Sequence, residues 1–191
     1  MNILILALML SQVEPNTEAQ YAQYNEFTKF DRYFSKYSKR YFGIAFDWHY
    51  FKAQAVAESS LQTDAESPAG AVGIMQIMPS TFADIRERHP AIKGPLDSPR
   101  WNIAAGIWYD RQNYVSWSDS RPFDDRLKFM FGSYNAGRGN ILQAQRKAQD
   151  QGLNANLWQS IEKELPSVTG RHSRETLTYV SRIFSIKREL R

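Results

Sequence analysis

The sequence contains no cysteine in its 191 residues. Disulfides, thiolate catalysis and cysteine-based metal sites are thereby excluded, as is the acylated cysteine that anchors a bacterial lipoprotein. Histidine is nearly as scarce. His49, His89 and His172 stand alone, and no pair has metal-ligand spacing. Neither a metal nor an organic cofactor is expected. There is no dense Lys/Arg run and no nucleic-acid-binding motif, so nucleic acid is not an expected partner. Long apolar runs are missing too. The opening MNILILALML is apolar for about ten residues, whereas a bilayer span takes about 20. It fits the apolar part of a signal peptide, but no Lys or Arg precedes the run and no clean small-x-small cleavage site follows. Residues 1–15 are therefore set apart as an apolar N-terminal segment, a signal or anchor or an incomplete start, and 16–191 are read as one domain. Strand-like alternation is weak throughout.

What the chain does have is apolar bulk: 42% hydrophobic and 14% aromatic residues. That suffices for a core without covalent staples and argues against wholesale disorder. The net charge of +4 is uneven: residues 121–191 carry +6 and the rest −2. A basic C-terminal part suits a polyanionic partner, and suits a solvated helical surface equally well.

Helical periodicity dominates. Thr17 and Gln20 stand at capping-box spacing, followed by Phe27, Phe30, Phe34, Tyr37 and Tyr41 at steps of three and four, with Gly43 as a stop. Asp47 fits the N-cap of WHYFKAQAVAES. Pro79 suits the first turn of PSTFADIRERH, and Asp97 the cap of SPRWNIAAGIWYDRQNYV. Phe123, Leu127, Met130, Phe131 and Tyr134 form a stripe closed by NAG. Asn140 and Gly152 bracket a further helix, Pro166 stops another, and the last begins at about Ser173. The fold class is mainly α, with 63–78 as the main irregular stretch.

Within AVAESSLQTDAESPAGAVGIMQIMPST the tripeptide Ala-Glu-Ser occurs twice, with Glu58 and Glu66 at its centres. Glu58 falls on the stripe of Phe51 and Ala55, in the last turn of its predicted helix. The negative end of the helix dipole and desolvation by apolar neighbours both disfavour its anion, so a raised pKa is expected, as a general acid requires. The bland reading is a helix-end glutamate paired with an arginine. Glu66, among Thr63, Asp64, Ser67 and Pro68, reads as a solvated loop charge. Beyond it, Gly70 and Gly73 permit tight turns, and Gln76 is an amide among apolar residues that must find hydrogen bonds.

Four motifs in this order, Glu58-Ser59, SPAGAVGIMQIMPST, SYNAG at 133–137 and ETLTYV at 175–180, resemble the family 1 (soluble-lytic-transglycosylase-type) lytic transglycosylase domain. Within that family, FDRYFSKYSKRYFGIAFDWHYFKAQAVAES is similar to the catalytic domains of the membrane-bound F type. The resemblance covers roughly Phe30 to Ile186. It implies a goose-lysozyme-like, lysozyme-like helical fold and a lyase acting on peptidoglycan. Glu58 matches the single catalytic acid, and Ser67 the serine that contacts the substrate acetamido group. Gln76 and Met78 match cleft-lining residues, and Tyr134 and Asn135 the Tyr-Asn-Ala-Gly motif, whose tyrosine hydroxyl lies beside the acid. Glu175 matches the family's late glutamate, which would border the saccharide sites, and Ser59 and Tyr179, as motif members, are set with the substrate-binding group.

Singly, each has a structural explanation: a turn cap for Ser67, core filling for Met75, Met78 and the Tyr134 ring, a favourable helix N-terminus for Glu175. The five tryptophans read mainly as core. GRGN lacks the third glycine and preceding strand of a dinucleotide loop, and GSYNAG lacks the frame of a nucleophile elbow.

Most glycosidases need two carboxylates, and Asp64 and Glu66 are poor seconds to Glu58. The resemblance implies a one-carboxylate route: non-hydrolytic cleavage of the MurNAc-β-1,4-GlcNAc bond, giving 1,6-anhydroMurNAc ends. The rival readings are a hydrolytic muramidase on the same fold and a non-catalytic wall-binding or assembly component. Peptidoglycan strands are the expected partner, a monomer the expected state, and the periplasm or cell envelope the expected location. A phage virion or lysis protein is the other origin considered, and membrane attachment is left open.

Overall fold

The computed structural model describes residues 20–117 and 120–191. Residues 1–15 and Thr17 of the expected capping box lie outside them. Nine α-helices occur among the described residues, in the order α1 (Asp31–Phe42), α2 (His49–Ser59), α3 (Pro79–Arg88), α4 (Pro99–Ser116), α5 (Phe123–Ala136), α6 (Arg138–Asp150), α7 (Trp158–Glu164), α8 (Pro166–Thr169) and α9 (Ser173–Glu189). Only two isolated antiparallel bridges, Glu66 with Val72 and Val72 with Ile77, depart from helix and loop in them.

Boundaries differ from the pattern where side chains elsewhere take over. The first stripe is divided: a 3₁₀ turn spans Ala22–Asn25, and α1 starts only at Asp31. Asn25 is tied to the chain's other end, donating to the Glu189 carbonyl at 2.9 Å and accepting from the Arg191 amide at 2.8 Å. Those side-chain bonds hold the turn to the end of α9, and tight backbone bonds from Thr28 N to Glu26 O and from Asp31 N to Thr28 O turn the chain before α1. Asp47 accepts from the His49 amide at 3.0 Å, one step outside α2. At α4, Ser98 takes the cap position and Pro99 the first turn, one residue after Asp97. Asn140 lies inside α6 and donates back to the Ala136 carbonyl at 2.8 Å. Pro166 ends α7 by starting α8.

The core is one cluster. Phe34, Phe51, Phe129, Phe131, Trp158, Ile103 and Ile107 are fully or almost fully buried in it. α2 packs on α9, α1 and α5 on α4, and α5 also on α9. The buried ammonium of Lys52 meets Asp31 at 2.9 Å and ties α2 to α1. Breaking such a pair from one side leaves a buried charge.

Candidate active site

Glu58 is the second-last residue of α2, and the helix ends immediately beyond it. Ser60 and Leu61 both adopt positive φ, 55° and 64°, and the Ser60 amide caps back to the Val56 carbonyl at 3.0 Å. The side chain is largely buried, yet part of it is open to solvent. Burial is the main cause that pushes its pKa from 4.5 to about 7. The Tyr179 hydroxyl, donating to Oε1 at 2.5 Å, pulls the other way. The negative charge of Glu175 raises the value and the positive charge of Arg182 lowers it. Arg182 also donates to the Ala57 carbonyl at 3.3 Å, next to the acid. At neutral pH a substantial share of Glu58 carries its proton.

The irregular stretch 63–78 is built around its own backbone. Ser59 donates to the Ile74 carbonyl at 2.9 Å, fastening the loop to α2. The Ser67 hydroxyl accepts from the Ala71 amide at 3.0 Å, closing a turn. Gln76 has φ +44°, unusual for a side-chain-bearing residue. Its amide nitrogen donates to the carbonyls of Gly73 at 2.9 Å and Ala65 at 3.1 Å, so both its protons are engaged inside the loop. Gly73 has φ +78°, and a Cβ there would lie 2.7 Å from the Asn102 amide nitrogen. Asn102, buried on α4, accepts from Met75 N at 2.7 Å and donates to the carbonyls of Val72 at 2.9 Å and Leu96 at 3.0 Å. α4 approaches closely because Gly106 has no side chain: a Cβ would stand 2.9 Å from Met75. Met75 is core; Met78, before α3, is 38% exposed.

Two tyrosines meet this loop and the acid from opposite helices. The Tyr134 hydroxyl, late on α5, donates to the Met75 carbonyl at 2.7 Å. It is therefore Tyr179, not Tyr134, whose hydroxyl hydrogen-bonds Glu58. Burial, and then the nearby Glu58 charge, hold both phenols well above their ordinary pKa. Beside them a cavity of about 390 Å³ is lined by Asn135, Asn140, Thr169, His172, Glu175 and Thr176, among others. The Asn135 side-chain amide oxygen accepts from the Thr176 hydroxyl at 2.8 Å. Glu58, Tyr134 and Tyr179 come together at the end of α2 against the glycine loop. Asn135 and Glu175 come together in the cavity. Ser67, Gln76 and Met78 belong to the loop and its exit.

One buried carboxyl escaped the sequence reading. Asp110 on α4 is fully buried, and burial holds it well above the usual carboxyl range; the Gln54 amide donates to it at 3.4 Å. Its signal was present: Asn102, Gly106, Asp110 and Asn113 recur at helical spacing on the inward face of α4. Among the described residues no group of three or more His, Asp or Glu could hold a metal ion.

Three comparisons bear on this arrangement. Residues 32–157 match the family model described as the transglycosylase SLT domain. The membrane-bound lytic murein transglycosylase F of Shewanella pealeana is 34% identical over 142 residues, which is 74% of this chain and 27% of that protein. The protein of that name from Vibrio campbellii is 30% identical, again over 74% of this chain and 24% of its own length. This chain thus spans about a quarter of the length of these relatives. Among solved structures, an inactive mutant of lytic transglycosylase Slt from Pseudomonas aeruginosa superposes with a TM-score of 0.66 at 20% identity, covering 92% of this chain and 25% of that one. The 70-kDa soluble lytic transglycosylase in complex with bulgecin A gives 0.63 at 22% identity, covering 92% and 30%. The fold is the lysozyme-like helical fold of these enzymes.

Proposed function

The chain belongs to the transglycosylase SLT domain family, and from that premise we propose that it is a peptidoglycan lytic transglycosylase with Glu58 as its single acid–base residue. The carrying observation is a largely buried, partly accessible carboxyl whose pKa stands at about 7. Among the described residues Glu58 is the one carboxyl placed for proton transfer: Asp110 is sealed in the core, Asp64 and Glu66 are exposed in the loop, and Glu175 is exposed at the cavity rim, where it acts on Glu58 through its charge.

In the proposed reaction Glu58 gives its proton to the oxygen joining N-acetylmuramic acid to N-acetylglucosamine. The bond from that oxygen to the anomeric carbon breaks, and the electron pair leaves with the oxygen. The acetamido oxygen of the same muramic residue stabilises the positive charge left on carbon. Glu58, now an anion, takes the proton of the 6-hydroxyl, whose oxygen closes onto the anomeric carbon. The product end is 1,6-anhydroMurNAc, no water enters, and Glu58 ends protonated as it began. General acid–base catalysis contributes about 10²–10⁴-fold, and an intramolecular hydroxyl adds the advantage of proximity.

Tyr179 orients the carboxyl and supports its anion. Tyr134 braces the glycine loop at Met75. Ser67, whose oxygen accepts within the loop, keeps its own proton for the acetamido group. Ser59 and Gln76 hold the loop's shape, and Met78, Asn135 and Glu175 border the saccharide sites. One chain supplies every group, so a monomer suffices. The matched relatives are bacterial proteins acting, by name, on murein, so the proposed location is the bacterial envelope, on the periplasmic side.

The test is digestion of purified sacculi followed by mass spectrometry. Anhydro products, lighter by one water than hydrolytic products, are expected. Products with the added water would instead indicate a muramidase. Glu58→Gln is expected to abolish zymogram clearing; clearing that persists would remove Glu58 from the chemistry.

A further inference from the structure

The helices that carry the site have a second end. α2 and α5 run the same way and α9 runs against them: Glu58, Tyr134 and Tyr179 meet at one end, while Tyr50, Phe123 and Phe184 meet at the other. At ~1.5 Å rise per residue the two ends of α2 lie about 15 Å apart. At the far end the aromatic rings form a connected sheet of contacts. Phe46 stands 6.2 Å from Phe123 and 6.0 Å from Tyr50, Tyr50 lies 6.4 Å from Phe123 and 5.8 Å from Phe184, and Phe42 lies 5.4 Å from Tyr114. Several of these rings are only half-buried. Ile44, in the α1–α2 loop, is 87% exposed, Phe123 52% and Val115 41%. Isolated exposed apolar residues need no explanation; here Phe123 continues the ring cluster, Ile44 stands two residues before Phe46, and Val115 follows Tyr114, so the three collect at one end.

Cations surround this group. The Arg111 guanidinium lies over Phe42 and Tyr114, Arg126 stands 3.7 Å from the Tyr114 ring centre, Lys128 lies over Phe184, and Lys187 over Tyr50. Lys39 lies in the last turn of α1, just before the loop. The acids at this end are mostly engaged: Asp47 pairs with Lys187 at 2.8 Å and with His49, and Asp125 accepts from the Trp158 amide. Asp124 is exposed and opposes an anionic partner. Protruding aliphatic and aromatic side chains within a ring of Arg and Lys match a bilayer surface, where apolar groups enter the headgroup–acyl boundary and cations meet lipid phosphates.

We propose that this end of the molecule, with Ile44 and Phe123 at its tip, docks on the surface of an anionic lipid bilayer. Docking there turns the Glu58 end away from the membrane. The proposal does not depend on the chemistry assigned to Glu58.

The absence of cysteine makes the test direct. Single variants Ala45→Cys and Gln62→Cys place an environment-sensitive fluorophore at exposed positions at the two ends. They are mixed with vesicles of three parts phosphatidylethanolamine to one part phosphatidylglycerol, and with phosphatidylcholine vesicles. A blue shift is expected at residue 45, not at residue 62, with the anionic vesicles, weakening as salt is raised. In the full chain, Ile44→Ser with Phe123→Ser is expected to lower vesicle partitioning at least tenfold, with sacculus digestion by the folded protein unchanged; the melting temperature falls modestly because Phe123 loses its ring contacts with Phe46 and Tyr50. No shift at residue 45, an equal shift at both positions, or undiminished partitioning in the double variant overturns the proposal. Light scattering showing a dimer that the double variant abolishes also overturns it, because a second copy would then cover the patch.

Discussion

Tyr179 donates its phenolic hydrogen to Glu58 across 2.5 Å, a bond between residues 121 positions apart that fixes the end of α2 against α9. The hydrogen bond favours the ionised carboxyl, while burial favours the protonated one and is the larger effect. The acid is therefore held near neutrality by opposing influences, and each can be altered separately.

Activity that needs protonated Glu58 is expected to fall as pH rises through about 7. Removing the donor in Tyr179→Phe removes an influence that lowers the pKa. The alkaline limb of the pH–rate profile should therefore move to higher pH, with the plateau rate several-fold lower as the carboxyl loses its orientation. A profile unmoved in pH would mean that Tyr179 acts only in packing.

Glu175→Gln tests the charge at the cavity rim. Glu175 raises the Glu58 pKa through its negative charge, so neutralising it should move the same limb to lower pH. Glu175 is exposed, so the shift should be small and should shrink in high salt. An equal shift at low and high ionic strength would contradict a through-solvent charge effect.

The acid also has a stability cost with a definite sign. Between 4.5 and about 7 the folded chain binds the Glu58 proton more than the unfolded chain does, so stability falls with rising pH across that window. The penalty is absent below about 4.5 and complete above about 7, and amounts to roughly 3 kcal/mol. Glu58→Gln lacks it. Denaturant melts should show the variant gaining on the parent from pH 4 to pH 8, by an amount of that order. A constant difference across this range would place Glu58 in an ordinary solvated environment.

The sequence carried much of this because the relevant effects are local. A carboxyl on the Phe51–Ala55 stripe at a helix end violates two preferences at once, and that conflict made Glu58 visible. Pro79, Gly43 and the start at Ser173 mark helix ends through backbone chemistry alone. The turn before α1 is tied by Asn25 to the far end of the chain, a contact that no local pattern encodes. The partner of Glu58 was hidden for the same reason. Tyr179 sits in a recognisable motif, but only the packing of α2 on α9 brings its hydroxyl to the acid. Asp110 and Asn102 were legible in principle as polar residues on an inward helical face.

Asn102 shows how far such a residue can reach. It touches neither Glu58 nor the cavity, yet it holds Met75 N, Val72 O and Leu96 O from the rear of the glycine loop. Asn102→Ala would take these partners from the Met75 amide, which is buried with its residue, and from the Leu96 carbonyl, while the Val72 carbonyl keeps the Ile77 amide at 3.1 Å. An unsatisfied buried group costs about 1–3 kcal/mol, so a loss of about 3 kcal/mol is expected in denaturant melts. The same loop presents Ser67, Gln76 and Met78, and its Met75 carbonyl receives Tyr134. Sacculus digestion should therefore fall more steeply than the folded fraction does. Asn102→Asp, which keeps the acceptor for Met75 N but loses the donors, should lie between the parent and the alanine variant in loop order, measured by amide exchange at 72–77. If both variants digest sacculi as fast as the parent once corrected for folded protein, the loop's shape is set without Asn102.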